Sequence, residues 1–139
     1  MGFEIVATKK RYHSDGQFVY SCYYHVVFCP KYRKRVLTGK VAERLKELVL
    51  QKQKEYHYEV IEQEIMDDHV HLLLSVNPKI GIYRVVSKIK GVTSNALRKE
   101  FKEVRTRIPT LWTRSRFISS VGAVTLDVVK RYIEKQTDA

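Results

Sequence analysis

The fold is organised around one stretch of the chain, Met66-Asp67-Asp68-His69-Val70-His71-Leu72-Leu73-Leu74-Ser75-Val76. In a β-strand that begins at His69, successive side chains point to opposite faces of the sheet. One face is then wholly apolar and carries Val70, Leu72, Leu74 and Val76. The other face carries His69, His71, Leu73 and Ser75. The pattern predicts a strand that is anchored in the core on one side and presents two imidazoles on the other.

Two imidazoles at this spacing fit two interpretations. Nitrogen ligands two residues apart on one strand can converge on a single divalent metal ion. Alternatively, His69 and His71 are ordinary polar side chains on the solvated face of an antiparallel strand. The short pattern does not decide between them, because a histidine pair of this kind also arises by chance.

The segments around the histidine strand alternate between strand and helix patterns. Period-two alternation indicates strands, a period near 3.6 indicates helices, and Asp67-Asp68 is typical of a hairpin turn. The resulting order predicts an α+β fold: a ferredoxin-like (RRM-like) antiparallel sheet with helices on one face and an additional C-terminal helix. The predicted strands are 19–29, 58–66, 69–76 and 115–121, and the predicted helices are 40–55, 80–101 and a final one from about residue 125.

The size and charge of the chain restrict its class. Its 139 residues predict one domain over residues 1–139. The formal net charge is +11, with 8 Lys and Arg against 2 acids in residues 1–40 and 11 against 2 in residues 79–116. This excess indicates a polyanionic partner, nucleic acid before membrane. The sequence shows no membrane-spanning run and no signal-peptide pattern, which predicts a cytoplasmic, nucleoid-associated protein.

Basic and aromatic residues mark candidate nucleic-acid contacts. The first strand is followed by Lys31-Tyr32-Arg33-Lys34-Arg35. Such a loop can bind phosphates with its charges and stack a base on Tyr32, although an ordinary solvated loop is the alternative. Lys88, Lys90 and Arg98 are predicted on the exposed sides of helix 80–101. Trp112 can stack on a base, but a lone tryptophan in a connection is more often a core anchor.

Several motifs in order resemble a known family. Asp68-His69-Val70-His71-Leu72-Leu73 resembles the His-hydrophobic-His motif of the HUH endonuclease superfamily. The chain is most similar to the small single-tyrosine transposases of bacterial and archaeal insertion sequences. Asp67 departs from the pattern, since many relatives have proline there, and we expect this to affect the turn and not the chemistry. The other matching motifs are Tyr24-His25-Val26-Val27-Phe28, Lys31-Tyr32-Arg33, Ile89-Lys90-Gly91-Val92-Thr93-Ser94, and Gly122 ahead of Tyr132-Ile133-Glu134-Lys135-Gln136.

The resemblance implies an activity and a set of site residues. It implies a DNA transposase that cuts and rejoins single strands at insertion-sequence ends through a covalent 5′-phosphotyrosine on Tyr132. Helical periodicity alone favours the alternative, in which Tyr132 is a packing residue. His69, His71 and Gln136 are the expected metal ligands. The expected cofactor is Mg²⁺ or Mn²⁺, although two imidazoles by themselves fit Mn²⁺ or Zn²⁺.

The resemblance also implies partners. Relatives recognise DNA hairpins near the element ends, so the basic segments 31–35 and 79–116 are the expected contact surface. Relatives act as homodimers with active sites shared between subunits, and the final helix, about 125–136, is then expected to be swapped onto the partner. Two alternatives remain: a domesticated relative that acts on chromosomal repeats, and a noncatalytic single-stranded nucleic-acid-binding module.

Overall fold

The computed structural model describes residues 13–14 and 16–122. The final helix expected from about residue 125 lies outside these residues. Within them, no helix is long and apolar enough to cross a membrane. The strands are β1 His13–Ser14, β2 Val19–Tyr20, β3 Tyr23–Phe28, β4 Tyr58–Met66, β5 His69–Val76 and β6 Phe117–Val121. The helices are α1 Gly39–Gln51, α2 Gln53–Tyr56, α3 Ile82–Glu100 and α4 Lys102–Arg107, with a 3₁₀ turn at Lys31–Arg33.

Four strands form one antiparallel sheet in the order β4-β5-β3-β6. The histidine strand β5 is central, because it pairs with β4 on one side and β3 on the other. Strands β1 and β2 form a separate two-stranded hairpin. The strand order and the placement of α1 and α3 between strands confirm the predicted α+β, ferredoxin-like fold.

The core lies on the apolar face of β5. Val70, Leu72 and Leu74 are fully buried and belong to the same cluster as residues of α1 and α3. Each fully buried leucine contributes about 2 kcal/mol relative to leaving it exposed. Helix α3 follows a turn in which Gly81 has a φ of +86°, a conformation that glycine adopts without a side-chain penalty. The helices therefore cover one face of the sheet. The two histidines lie on the other face, where they are partly exposed while Leu73 and Ser75 of the same strand are buried.

Trp112 is a core anchor, as the structural interpretation of the sequence predicts. Its indole is 7% exposed and its Nε1–H donates a 3.0 Å hydrogen bond to Thr93 Oγ1 on α3. Its ring meets Phe28 edge-on, with centroids 4.7 Å apart. A buried tryptophan with its N–H satisfied has no free face for a nucleic-acid base.

Two sequence predictions are corrected by the structure. The first strand, predicted as continuous over 19–29, is divided, because Val19–Tyr20 pairs with His13–Ser14 while the sheet strand begins at Tyr23. The sequence predicts no helix in residues 102–114, between the predicted helix 80–101 and the predicted strand 115–121, but these residues contain α4. Helix α4 is short and polar, and only Val104 is buried in it, so its sequence has almost no apolar periodicity. It is held by tertiary contacts such as the 3.0 Å hydrogen bond from Arg105 to the Arg98 carbonyl.

Candidate functional site

The two histidines of β5 lie side by side on the face of the sheet opposite the core helices. The ring centroids of His69 and His71 are 5.0 Å apart, and the rings are inclined at 57°. Both residues are partly exposed, whereas Val70 between them is fully buried. The period-two alternation of the strand produces this arrangement, because it sends residues 69 and 71 to one side and residue 70 to the other.

The strand register identifies what shares this face with the histidines. His71 lies opposite Val27 on β3 and Glu64 on β4, and Val27 lies opposite Phe117 on the edge strand β6. Burial lowers the pKa of His71, and the neighbouring His69 lowers it further. His71 is therefore favoured as the neutral imidazole, which is the form that donates a lone pair to a metal ion.

His69 forms a hydrogen bond with Asp68, the residue that precedes it. Its Nδ1 lies 2.8 Å from Asp68 Oδ1, and the other carboxylate oxygen of Asp68 accepts a 2.9 Å hydrogen bond from Arg33 Nη2. The hydrogen bond from His69 and, more weakly, the charge of Arg33 hold the pKa of Asp68 below its ordinary value. A carboxylate at this position accepts a hydrogen bond from Nδ1–H, which leaves the Nε2 lone pair for another ligand.

The basic loop, residues 31–35, lies at the same end of the sheet as the histidines. The backbone N–H of Leu37 donates a 3.0 Å hydrogen bond to the Asp67 carbonyl in the β4–β5 turn. Arg35 is 3.9 Å from the Asp67 carboxylate. The side chains of Tyr32 and Lys34 point away from the core, and Tyr32 is 70% exposed. The basic loop is therefore docked on the β4–β5 turn, which directly precedes His69.

The basic residues of the second segment have three different environments. Lys88 is exposed and its ammonium lies 5.2 Å from the ring centroid of Tyr56. Arg98 donates a 2.8 Å hydrogen bond to the Ile108 carbonyl and is partly buried. Lys90 is only 9% exposed, and its Nζ donates a 2.6 Å hydrogen bond to the Thr113 carbonyl. Of the three, only Lys88 presents its charge at the surface, and the sequence placed Lys90 on an exposed side where the structure buries it.

The burial of Lys90 predicts a pH dependence of stability. Burial lowers the pKa of Lys90 to about 8, from an ordinary value of 10.5. At a pH between these two pKa values, Lys90 is protonated in the unfolded chain and neutral in the folded chain. The free energy of unfolding therefore rises with pH over this range. We expect Lys90→Met, which keeps an unbranched chain of similar length, to remove about 1 kcal/mol or more of this rise. Urea unfolding of both proteins at about pH 7.5 and pH 10 measures the change in the free energy of unfolding. An equal change in the two proteins would place the Lys90 ammonium in solvent.

The other predicted site residues, Tyr132 and Gln136, lie outside the described residues. In the part of the chain that the structure describes, no group of three or more His, Cys, Asp or Glu side chains is placed to hold a metal ion. His69 and His71 fit the role of two ligands, because they share one face and the Nδ1 of His69 is already engaged. Further ligands must then come from other groups.

The sequence interpretation missed two features, one beside the histidines and one on the helix-covered side of the sheet. Asp68 was assigned to the hairpin turn, although its position directly before the first histidine is a signal for a partner of that imidazole. A second feature is an exposed stack in which the Arg116 guanidinium lies 4.6 Å from the ring centroid of Tyr83. Arg116 also donates a 2.8 Å hydrogen bond to Ser87, and no sequence pattern connects residues this far apart.

A ferredoxin-like sheet with two histidines on the face opposite its helices is the arrangement that the sequence resemblance implied for the HUH superfamily. The family model described as "Transposase IS200 like" matches residues 18–136. The chain therefore belongs to the IS200-like transposase family.

Individual relatives agree with this assignment. The chain is 36% identical over 123 residues to the ISDra2 transposase TnpA of Deinococcus radiodurans, covering 87% of this chain and 88% of the relative. It is 30% identical over 122 residues to the transposase for insertion sequence element IS200 of Salmonella typhimurium, covering 86% of this chain and 79% of the relative.

Solved structures share the fold. The crystal structure of a transposase from Deinococcus radiodurans superposes with a TM-score of 0.73 at 29% identity, over 89% of this chain and 97% of that one. A REP-associated tyrosine transposase bound to a REP hairpin superposes with a TM-score of 0.53 at 10% identity, over 88% of this chain and 67% of that one. The second likeness concerns the fold alone.

Proposed function

We propose that this transposase is a metal-dependent single-stranded DNA endonuclease and strand transferase. The observation that carries the proposal is the pair of partly exposed histidines, His69 and His71, on the sheet face opposite the core helices, beside the docked basic loop. Family membership supplies the reaction class, since the chain is a transposase. Paired imidazoles near a basic loop suit a site that binds a divalent ion and a phosphodiester together.

The proposed metal ligands are His69, His71 and Gln136, with Mg²⁺ or Mn²⁺ as the ion. Oxygen donors from Gln136, water and a DNA phosphate would suit either ion, and imidazole suits Mn²⁺ particularly. When bound, the ion supplies charge stabilisation at a nonbridging phosphate oxygen and at the leaving oxygen. The protein contributes the fixed spacing of the two imidazoles, which β5 sets through its central place in the sheet.

Tyr132 is the proposed nucleophile. Its phenol oxygen attacks phosphorus, the bond to the 3′ oxygen breaks, and a covalent 5′-phosphotyrosine forms. The phenolic proton passes to a base in the solvent, and the departing 3′ oxygen takes up a proton to become a hydroxyl. Rejoining reverses these steps, with a 3′ hydroxyl attacking phosphorus and tyrosine leaving. The energy of the phosphodiester is conserved in the protein–DNA bond, so no external energy source is needed.

The basic loop is the proposed contact for the DNA backbone near the cleavage point. Lys31 and Lys34 provide charges for phosphates, and exposed Tyr32 provides a face for base stacking. Arg33 and Arg35 lie in the same loop but pair with the acids of the β4–β5 turn. Lys88 remains a candidate contact on α3. The positions of Lys90 and Arg98 indicate internal hydrogen bonding, so we leave both out of the proposed DNA surface.

Hairpin recognition and dimerisation complete the proposal. The net charge of +11 suits a folded DNA substrate with many phosphates close together. One structural neighbour is bound to a REP hairpin, and we propose a hairpin at the element ends as the substrate here. We further propose a homodimer in which residues 1–139 form one domain and the final helix completes the partner's site.

A covalent adduct distinguishes this function from its alternatives. Labelled single-stranded DNA from the regions flanking the gene, chosen to contain imperfect hairpins, is incubated with the protein and Mn²⁺. We expect a protein–DNA species that survives detergent and disappears with a chelator. A noncatalytic binding module would shift the DNA in a native gel but leave no adduct in detergent. A domesticated relative would form the adduct with dispersed chromosomal repeats and not with element ends.

A further inference from the structure

Arg33, from the basic loop, is hydrogen-bonded to Asp68, and Asp68 is hydrogen-bonded to His69. Arg33 Nη2 is 2.9 Å from Asp68 Oδ2, and Asp68 Oδ1 is 2.8 Å from His69 Nδ1. We propose that Asp68 is a positioning residue that fixes the orientation and tautomer of His69, and that Arg33 holds Asp68 in place. The metal role of His69 rests on the proposed function, but the two hydrogen bonds of Asp68 do not depend on it.

The carboxylate of Asp68 determines which ring nitrogen carries the proton. An ionised carboxylate only accepts hydrogen bonds, so Nδ1 of a neutral His69 must be the donor. The lone pair is then on Nε2, at the far side of the ring from the β4–β5 turn. Without this acceptor, the neutral ring is free to exchange between two tautomers and to rotate. Partners of this kind fix the ligand nitrogen of metal-binding histidines in general.

The two adjacent acids of the turn have different environments, which argues against a turn role alone for Asp68. The Asp68 side chain is 17% exposed and accepts two short hydrogen bonds, one on each oxygen. The Asp67 side chain is 43% exposed and only approaches Arg35 at 3.9 Å. The backbone of Asp67, through its carbonyl, makes the contact to Leu37 that ties the loop to the turn. Asp67 therefore serves as a matched control for Asp68.

The backbone of the basic loop places Arg33 at Asp68. Tyr32 and Arg33 have φ values of 61° and 51°, in the left-handed region that costs non-glycine residues of the order of 1 kcal/mol each. The loop is fixed on either side by the hydrogen bonds Lys31 N–H to Leu111 carbonyl, 2.7 Å, and Leu37 N–H to Asp67 carbonyl, 3.0 Å. These two anchors hold the loop in the conformation that brings Arg33 to Asp68.

The first test reads the tautomer directly, in metal-free protein. Two-dimensional ¹H–¹⁵N NMR of the imidazoles is expected to show His69 with its proton on Nδ1. In Asp68→Ala the His69 signals should move toward a tautomer mixture, whereas Asp67→Ala should leave them unchanged. Asp68→Asn keeps an acceptor oxygen and should retain most of the Nδ1–H form. A proton on Nε2 in the unmodified protein, or no change in Asp68→Ala, would overturn the inference.

The second test measures Mn²⁺ affinity without DNA, by the electron paramagnetic resonance signal of the free ion. We expect Asp68→Ala to weaken binding about 10–100-fold, the range typical of outer-shell partners of metal-binding histidines. The Mn²⁺ affinity of Asp68→Asn should lie between those of Asp68→Ala and the unmodified protein. Arg33→Ala should weaken binding several-fold, and Arg35→Ala should change it less than about twofold. Equal affinity in Asp68→Ala and the unmodified protein overturns the positioning role. No Mn²⁺ binding by the unmodified protein instead overturns the metal role, and the tautomer measurement then decides the inference by itself.

Discussion

Replacing His71 with alanine is expected to reduce DNA strand cleavage by about a thousandfold or more. Charge stabilisation by a bound divalent ion amounts to several kcal/mol, and each 1.4 kcal/mol corresponds to about a factor of ten in rate. His71 supplies one of the two protein nitrogens in the described part of the proposed site. DNA binding should be retained, because the basic loop is attached to the β4–β5 turn and not to His71. Adduct formation and native-gel binding measure the two effects separately.

The fold should survive this change. His71 is partly exposed, and its backbone hydrogen bonds to β3 and β4 do not depend on the side chain. A substitution at such a position changes the free energy of unfolding by about 1 kcal/mol or less. His57→Asn is the matched control. His57 is an exposed imidazole next to Tyr58, which pairs with Val76, about 17 Å along β5 from His71. Asparagine tolerates the left-handed backbone of residue 57.

Three outcomes separate the possibilities for His71. Loss of cleavage in His71→Ala with normal activity in His57→Asn supports the metal assignment. Undiminished cleavage by His71→Ala contradicts it. Loss of both cleavage and DNA binding, with an unchanged unfolding transition, would instead make His71 a DNA contact and move the proposed catalytic centre elsewhere.

The fold was predictable because each sheet strand carries its own signal. The alternation in β5 and the bounds of β4 and β5 agree with the sequence prediction, since apolar faces repeat every two residues there. Helices α1 and α3 have clear apolar stripes and were located to within a few residues. Helix α4 was not predicted, because a six-residue helix with one buried side chain has almost no pattern to detect.

The sequence predicted the histidine pair but not the side chains that position it. His69 and His71 are two residues apart, so strand geometry alone places them on one face. The contact between Arg33 and Asp68 joins residues 35 positions apart and depends on how the loop after β3 docks on the β4–β5 turn. Lys90 shows the same limit, because its burial arises from packing of α3 against the segment that contains Thr113. Local periodicity carries no information about either contact.

In the proposed dimer, the arrangement of the active site determines the result of mixing two variants that are expected to be inactive, His71→Ala and Tyr132→Phe. In a shared site, Tyr132 of one subunit acts with the histidines of the other. The mixed dimer then contains one site with both defects and one intact site, and we expect about half of the adduct formed by the unmodified dimer. If each subunit uses its own tyrosine, every site carries one defect and the mixed dimer is inactive.

The geometry of β6 makes this experiment necessary. The strand ends at Val121, which lies opposite Tyr23 at the end of the sheet away from His69. Tyr132 is ten positions after Gly122, a span of about 15 Å as helix and up to about 33 Å when extended. His71 is four residue positions back along the sheet from Val121 and two strands across, which corresponds to about 17 Å. The span therefore permits a site within one subunit as well as a shared site, and only the family resemblance favours sharing.

A reciprocal mixed dimer provides the control. One subunit is unmodified and the other carries both His71→Ala and Tyr132→Phe. With shared sites, each site of this dimer contains one defect, so it should be inactive, whereas sites within one subunit would leave one intact site. The two mixed dimers must therefore give opposite results under either arrangement, provided that each is purified through a different tag on each subunit. The shared site is supported if the dimer of the two single variants forms the adduct and the dimer of unmodified and doubly substituted subunits does not. The reverse pattern rules it out, because each subunit would then cut with its own tyrosine.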